Sequence, residues 1–381
     1  MTLAERVQRR DNNFDVLRFL AASMVILSHS FAFVPSPPEY FYSLTHWESL
    51  ATLGVCIFFT ISGFLISKSW EDDPRPLAFA TKRFLRIIPG LCAATLFCVF
   101  LIGPLATNLP LKSYFKNEAT WNYFWTLLIF PMQFVLPGVF LTNQMHAVNG
   151  SLWTLPSEVL AYTLVAILGC LGLLKARNTP VLLLLCMYFF SENYMVSPGA
   201  PSYFASAFTM KNAQVWFSYF LVGMIYYQYR EKIVLSGETC LALVLFAVAT
   251  FKTPLVEVAM LAALPYTVFY VAYQALPSFH SFAKYGDFSY GLYIYAFPMQ
   301  QLLAQKIKHL TWLTLFLASF APILGVAILS WYLVERPALR LKRKCQARDN
   351  QPPTSVPEPS APPPGYVQLA GVDQSLDRAA A

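Results

Sequence analysis

The sequence predicts an all-α polytopic membrane protein, with about ten transmembrane helices and a possible re-entrant segment near residues 121–140. Three observations carry that prediction. Of 381 residues, 56% are hydrophobic and only 12% charged, against roughly 25% charged in ordinary soluble domains. Apolar stretches near the ~20 residues needed to cross a bilayer recur along most of the chain, separated by short polar turns. The basic residues are divided unequally between those turns.

Taken in order, spans are expected at 13–34, 50–69, 87–103, 152–174, 179–196, 213–229, 233–250, 254–275, 286–305 and 311–334. The run WNYFWTLLIFPMQFVLPGVF at 121–140 is broken by two prolines and is read as re-entrant or interfacial. An even count then puts both termini on one side. Connections on that side hold 18 Lys and Arg, those on the other side six, which places both termini in the cytoplasm. Counting 121–140 as a full span would flip every later loop and put LKRK outside. The first run follows Arg6, Arg9 and Arg10 and lacks a small-residue cleavage site before PSPPEY, so it reads as a retained helix. The expected organisation is a basic cytoplasmic segment at 1–12, a membrane domain at 13–340, and a disordered, proline-rich cytoplasmic tail at 345–381.

Composition also excludes function classes. Seven cysteines are scattered without CxxC pairs, six of them in or beside apolar segments, which implies neither a disulfide framework nor a metal site. No histidine has metal-ligand spacing with a second histidine or acid, so no metal is expected. The net charge of +7 sits at helix ends rather than on one soluble face, which fits membrane topology and not nucleic acid. No G-x-S-x-G elbow supplies a serine nucleophile.

The chemistry-bearing residues begin in DVLRFLAASMVILSHS, residues 15–30. Eleven helical steps from Arg18 to His29 turn ~1100°, within ~20° of three full turns, and rise ~16 Å. Both side chains therefore share a face, the arginine at headgroup level and the histidine well inside. Intramembrane polar groups are functional hypotheses by default, beside the alternatives of a snorkelling arginine and a histidine bonded to a neighbouring helix. A histidine at that depth can accept a proton from a hydroxyl. The loop SKSWEDDPRPLAFATKRFLRIIPG ends in Arg83 and Arg86, three apart and on one face entering the third helix. With Arg18 they make three guanidiniums able to clamp phosphates, or they anchor the helix ends. A phosphate-bearing donor with a long thin arm satisfies both observations, and coenzyme A has that shape.

Supporting positions follow. Asp15 lies three residues before Arg18 and can pair with it, or serve as a helix-start carboxylate. Glu158 falls in the first turn of the fourth helix, where the dipole favours it; it also stands where it can orient an acceptor hydroxyl or His29. Ser62 beside Gly63 permits close helix contact or lines a donor channel. Tyr290 lines the cavity or packs. Glu335 is expected to close the last helix through a salt bridge at the cytoplasmic face.

These residues also carry a family resemblance. DVLRFLAASMVILSHS resembles the first helix of the acyltransferase-3 family of membrane O-acyltransferases, in which an arginine is followed, after ten residues, by a histidine. The resemblance continues through GVCIFFTISGFLI, KRFLRIIPG, SLWTLPSEVLAY, YGDFSYGLYIYAFPMQ and YLVERP, six blocks in family order over most of residues 13–340. It implies transfer of an acyl group, most often acetyl, from cytoplasmic acyl-CoA to a hydroxyl of an extracytoplasmic glycan or glycolipid, in a bacterial inner membrane. Acyl-CoA is then a donor substrate rather than a bound cofactor. Carried over by position, His29 is the catalytic histidine, as general base or acyl carrier, and Arg18, Arg83 and Arg86 bind the donor; the match at LWTLPSE favours Glu158 as a second catalytic residue. Cys56 and Ala296 depart from the family pattern, which has an acid and a histidine there in many members. A transporter or flippase for a glycan or lipid intermediate is the rival reading, though the inverted repeats it would show are not seen.

Overall fold

A helix occupies each of the ten predicted intervals, and side-chain caps mark where three of them begin. The structure, a computed structural model, describes residues 1–8, 12–193, 210–274, 284 and 286–341. Residues 1–342 form one compact unit; the predicted tail at 345–381 and the end of the 179–196 interval lie outside the described residues. Among the described residues the ten long helices are α1 Phe14–Phe33, α2 Leu50–Asp72, α3 Pro76–Phe97, α4 Leu155–Cys170, α5 Thr179–Asn193, α6 Met210–Gln228, α7 Gly237–Ala249, α8 Val256–Ala272, α9 Ser289–Lys306 and α10 Trp312–Ser330.

Side chains take up orphan backbone groups at several of these ends. Ser49 Oγ accepts from Thr52 N at 3.1 Å to start α2, Ser236 Oγ from Thr239 N at 3.1 Å to start α7, and Thr311 forms a capping box with Thr314 for α10. Asn13 Nδ2 donates to Val271 O at 2.8 Å and Gln274 O at 3.1 Å, tying the start of α1 to the end of α8.

The third helix starts at Pro76, not at 87. Proline fits a first helical turn, where its missing N–H costs nothing, and the charges of Lys82, Arg83 and Arg86 hide the turn from a hydropathy reading. The helix then runs on through a π turn, Cys98–Ile102, and Gly103–Ala106. The last helix likewise continues through a π turn, Trp331–Glu335, to residue 341. Residues 121–140 make no spanning helix: Tyr123–Leu128 is a 3-10 turn, and Tyr123, Leu136, Val139 and Phe140 pack with Val99 and Ile102 at the end of α3.

Among the described residues, five helical stretches are long and apolar enough to cross a membrane: Phe14–Phe33, Leu50–Asp72, Pro76–Ala106, Gly150–Cys170 and Trp312–Leu341. Gly237–Ala249 and Val256–Ala272 are apolar but shorter. The helix α9 is too polar to join them, because it is enclosed: Gly291 through Pro298, Gln300 and Gln301 are all buried by protein. Outward faces of other helices are greasy, with Leu160, Ile167, Leu241, Leu245, Leu317 and Leu329 exposed. An apolar exterior around a core holding buried glutamines is the arrangement of a helical membrane protein.

The connections meet at two ends. At one, Leu3 N donates to Ile233 O at 2.8 Å, Arg6 to Tyr273 O at 3.0 Å, Arg230 pairs with Glu71 at 2.8 Å, and Arg177 with Glu231 at 2.9 Å. At the other, Lys252 N donates to Thr45 O at 2.9 Å, and Gln305 to Ala106 O at 3.1 Å. Helices α2 and α6 run parallel between them, Trp47 ahead of α2 packing on Tyr219, then Phe64 on Tyr227 and Glu71 on Arg230. Gly63 lets them touch: a Cβ there would collide with the Phe220 backbone.

Candidate active site

At the end that carries the N-terminus, α1 and α3 bring their arginines to one carboxylate. Arg86 Nη2 lies 2.5 Å from Asp287 Oδ2, and Arg18 Nη1 lies 3.8 Å from the same oxygen and 3.1 Å from Asp15 Oδ1. Ser289 holds the other oxygen, donating from its N at 3.2 Å and its Oγ at 2.5 Å. The turn that delivers Asp287 needs Gly286, at φ +127°, because the Trp331 indole fills the space a side chain would take.

Arg83 meets different partners from Arg86, on α2 and α4. Its Nη2 reaches Ser69 Oγ at 3.3 Å, and its guanidinium lies 5.6 Å from the ring centroids of both Phe79 and Tyr162. The Tyr162 hydroxyl donates to Glu158 one turn earlier on α4 and also meets Ser62 of α2. The Glu158 carboxylate thereby sits in the field of Arg86, Arg83 and Arg18. Tyr290 supports Arg86, whose guanidinium lies 5.8 Å from its ring, and donates to Ile87 O at 2.9 Å. Glu335, expected to form a surface salt bridge, is instead 3% exposed: Ser330 Oγ donates to it at 2.9 Å, Arg86 and Asp287 are its charged neighbours, and its Oε2 is buried without a partner. The helix does not stop there, so the chain can turn this carboxylate inward.

His29 stands three turns up α1, in surroundings without paired charge. Its ring centroid is 5.2 Å from Phe297 and 5.7 Å from Phe33, and its Nδ1 is buried with no hydrogen-bond partner. Gly150 leaves the room that the Phe297 ring occupies. Pro298 cannot donate to the carbonyl of Ile294, and Asn149 Nδ2 takes its place at 2.7 Å. The neighbouring residue on α1, Ser28, donates to Glu39 Oε2 at 2.6 Å, while Glu39 Oε1 accepts from Leu50 N at 2.5 Å, so the loop after α1 is pinned to both helices. Helix α9 runs parallel to α1 along the whole interval, with Asp287 at Arg18, Phe297 at His29, and Gln300 at Ile26 and Ser30.

The structure thus brings Arg18, Arg83, Arg86, Asp15, Tyr290, Ser62 and Glu158 to one neighbourhood and sets His29 apart from it on the shared helix. A model described as an acyltransferase domain matches residues 11–332. The chain belongs to this family, acyltransferase-3. It is 29% identical over 346 residues to a protein named O-acetyl transferase from Shigella phage Sf6, an alignment covering 86% of this chain and 96% of that one. It is also 26% identical over 364 residues to nodulation protein 10 of Rhizobium leguminosarum bv. viciae, covering 88% and 95%. No solved structure matches. The protein is therefore an acyltransferase, as its six motifs imply.

Four residues of this acyltransferase's polar interior escape a reading of the sequence: Tyr162, Asp287, Gln300 and the inward-facing Glu335. Tyr162 was within reach, since it lies four residues after Glu158 and shares its helix face. Asp287 reads as a helix-start residue, and nothing local announces that two arginines from distant segments converge on it.

Proposed function

We propose that this protein is an O-acyltransferase of the bacterial inner membrane, moving an acetyl group from cytoplasmic acyl-CoA to a hydroxyl of an extracytoplasmic glycan or glycolipid. The carrying observation is that α1 holds Arg18 within a cluster of three guanidiniums at one end and a half-buried His29 ~16 Å further along. The names of the two relatives support acyl transfer to oxygen. Ten crossings with both termini in the cytoplasm agree with the way the connections sort between the two ends.

On this reading the donor's phosphates exchange for Asp287 on Arg18 and Arg86, and its arm runs along α1 and α9 toward His29. In direct transfer, His29 takes the hydroxyl proton as the acceptor oxygen attacks the thioester carbon. The C–S bond breaks, and the imidazolium returns the proton to the leaving thiolate, giving free CoA. In the two-step alternative a neutral imidazole nitrogen attacks the thioester carbon, the C–S bond breaks and CoA leaves as the thiolate; the acceptor hydroxyl oxygen then attacks the acyl-imidazolium, the N–C bond breaks, and the hydroxyl proton passes to the thiolate, leaving neutral histidine and free CoA.

The test is purified protein in lipid vesicles with acetyl-CoA and a panel of bacterial glycans, following free CoA in wild type and His29→Ala. Acceptor-dependent CoA release that the substitution abolishes is expected. Equal turnover in the two would remove His29 from the mechanism, and movement of a glycan lipid across the vesicle without CoA release would replace acyl transfer by transport.

A further inference from the structure

Gln300 is a fully buried glutamine in the middle of α9, and its amide is committed on one side only. Its Nε2 has three acceptors within reach of its two hydrogens: Ile26 O at 3.0 Å, Ser30 Oγ at 2.8 Å and Ser319 Oγ at 3.3 Å. A backbone carbonyl only accepts, so the amide orientation is fixed: nitrogen toward Ile26, oxygen away from it. That oxygen, Oε1, is buried with no partner. Buried amide oxygens are nearly always bonded, since an unsatisfied one loses its hydration without replacement.

Another buried polar atom without a partner, on the same stretch of the α1–α9 contact, is Nδ1 of His29. The two residues occupy the same crossing of α1 and α9: His29 is adjacent in sequence to Ser30, which Gln300 bonds, and its ring rests on Phe297, one turn before Gln300. One orphan is an acceptor. The other, in the tautomer that leaves Nε2 free to accept a proton, is a donor.

We propose that Gln300 is the positioning residue of His29, its Oε1 accepting the Nδ1–H bond in the reacting enzyme and so holding Nε2 as the basic nitrogen. A neutral amide suits this place. It fixes tautomer and ring orientation as a carboxylate would, without adding a second buried charge to a half of the site that has no arginine to balance it. The two N–H groups of Nε2, shared among these three acceptors, keep Gln300 from turning its amide, so the acceptor stays pointed. The inference rests on the reading of His29 as the reacting base or acyl carrier.

The deciding experiment is nitrogen NMR of full-length protein in lipid nanodiscs, labelled with 15N-histidine and compared with His29→Ala to isolate the His29 signals among five histidines. The expected wild-type spectrum shows Nδ1 protonated, with a downfield hydrogen-bonded proton, and Nε2 unprotonated. Gln300→Leu is expected to lose that downfield proton and to lower kcat about ten- to hundred-fold, the size of effect found when the outer partner of a metal-bound histidine is removed, while KM for acetyl-CoA stays put. Gln300→Glu, which keeps an acceptor at the same reach, is expected to keep the Nδ1–H signal. A wild-type Nδ1 that carries no proton overturns the proposal, and so does a Gln300→Leu enzyme with unchanged tautomer and kcat. If Gln300→Leu fails to fold, the wild-type spectrum alone decides. Failure of the catalytic reading itself shows separately, as full turnover by His29→Ala.

Discussion

The two halves of the α1–α9 seam are built on opposite electrostatic plans. Near Arg18, three guanidiniums meet four carboxylates, those of Asp15, Glu158, Asp287 and Glu335, and most of the atoms are paired. The His29 ring rests on Phe33 and Phe297 with no arginine in contact, and its Nδ1 and the Oε1 of Gln300 are among the buried polar atoms without a partner. The contrast teaches what each half is equipped to do. A charge-dense end can exchange one anion for another at little net cost, because its cations are already held in place. A neutral, enclosed half keeps proton transfer away from competing charges, where each polar contact counts for more than in water.

If the comparison is right, substitutions in the two halves have different kinetic signatures. The largest effect is expected from His29→Ala, a loss of about 10²–10⁴ in kcat, the range for a removed acid–base group, with acetyl-CoA binding by calorimetry unchanged. A parallel loss of donor binding would merge the two halves. Next, Arg86→Ala removes the closest partner of Asp287 and is expected to cost about 1.5–3 kcal/mol of stability, as for a hydrogen bond to a charged group. Thermal unfolding in detergent reads that cost, and KM for acetyl-CoA should rise while the rate at saturation changes less.

Smaller effects test the frame around the seam. Gly63→Val drives a side chain into the Phe220 backbone and is expected to cost about 1–3 kcal/mol by overpacking, lowering the melting temperature with little change in KM. The smallest concerns Asp73, in the connection between α2 and α3. Arg75 at 2.7 Å and Lys82 at 2.7 Å hold its carboxyl well below the usual carboxylate range. Its stabilisation is therefore present above the unfolded value of about 4 and is lost as pH falls further. Lys82→Met should flatten that acid limb in melting curves taken from neutral to acid pH, leaving neutral-pH turnover as it was.

Much of this architecture is visible in the sequence, because a lipid-facing surface demands long apolar runs whatever they pack against. The eleven-residue interval between Arg18 and His29 is likewise local, a property of one helix. The start of α3 is hidden because Lys82, Arg83 and Arg86 interrupt the apolar pattern that elsewhere marks a helix. Asp287, Glu335 and Gln300 are hidden for a different reason: each is defined by a partner on another helix, and periodicity gives the face a residue occupies but not what stands opposite. Glu158 shows the same limit, since its first-turn position is legible while its engagement with Tyr162 and the arginines is a matter of how α4 packs on α2 and α3.

The parallel run of α1 beside α9 sets a condition on how such a chain can change. Arg18 to His29 and Ser289 to Gln300 are both eleven-residue steps, and the two helices are fastened at both ends of that interval. An extra turn inserted into one helix alone would slide Asp287 off the arginines or Gln300 off Ser30. The two can lengthen only together. The span between the charged end and the histidine therefore behaves as a caliper with two rigid jaws, indifferent to loop length and resistant to gradual drift.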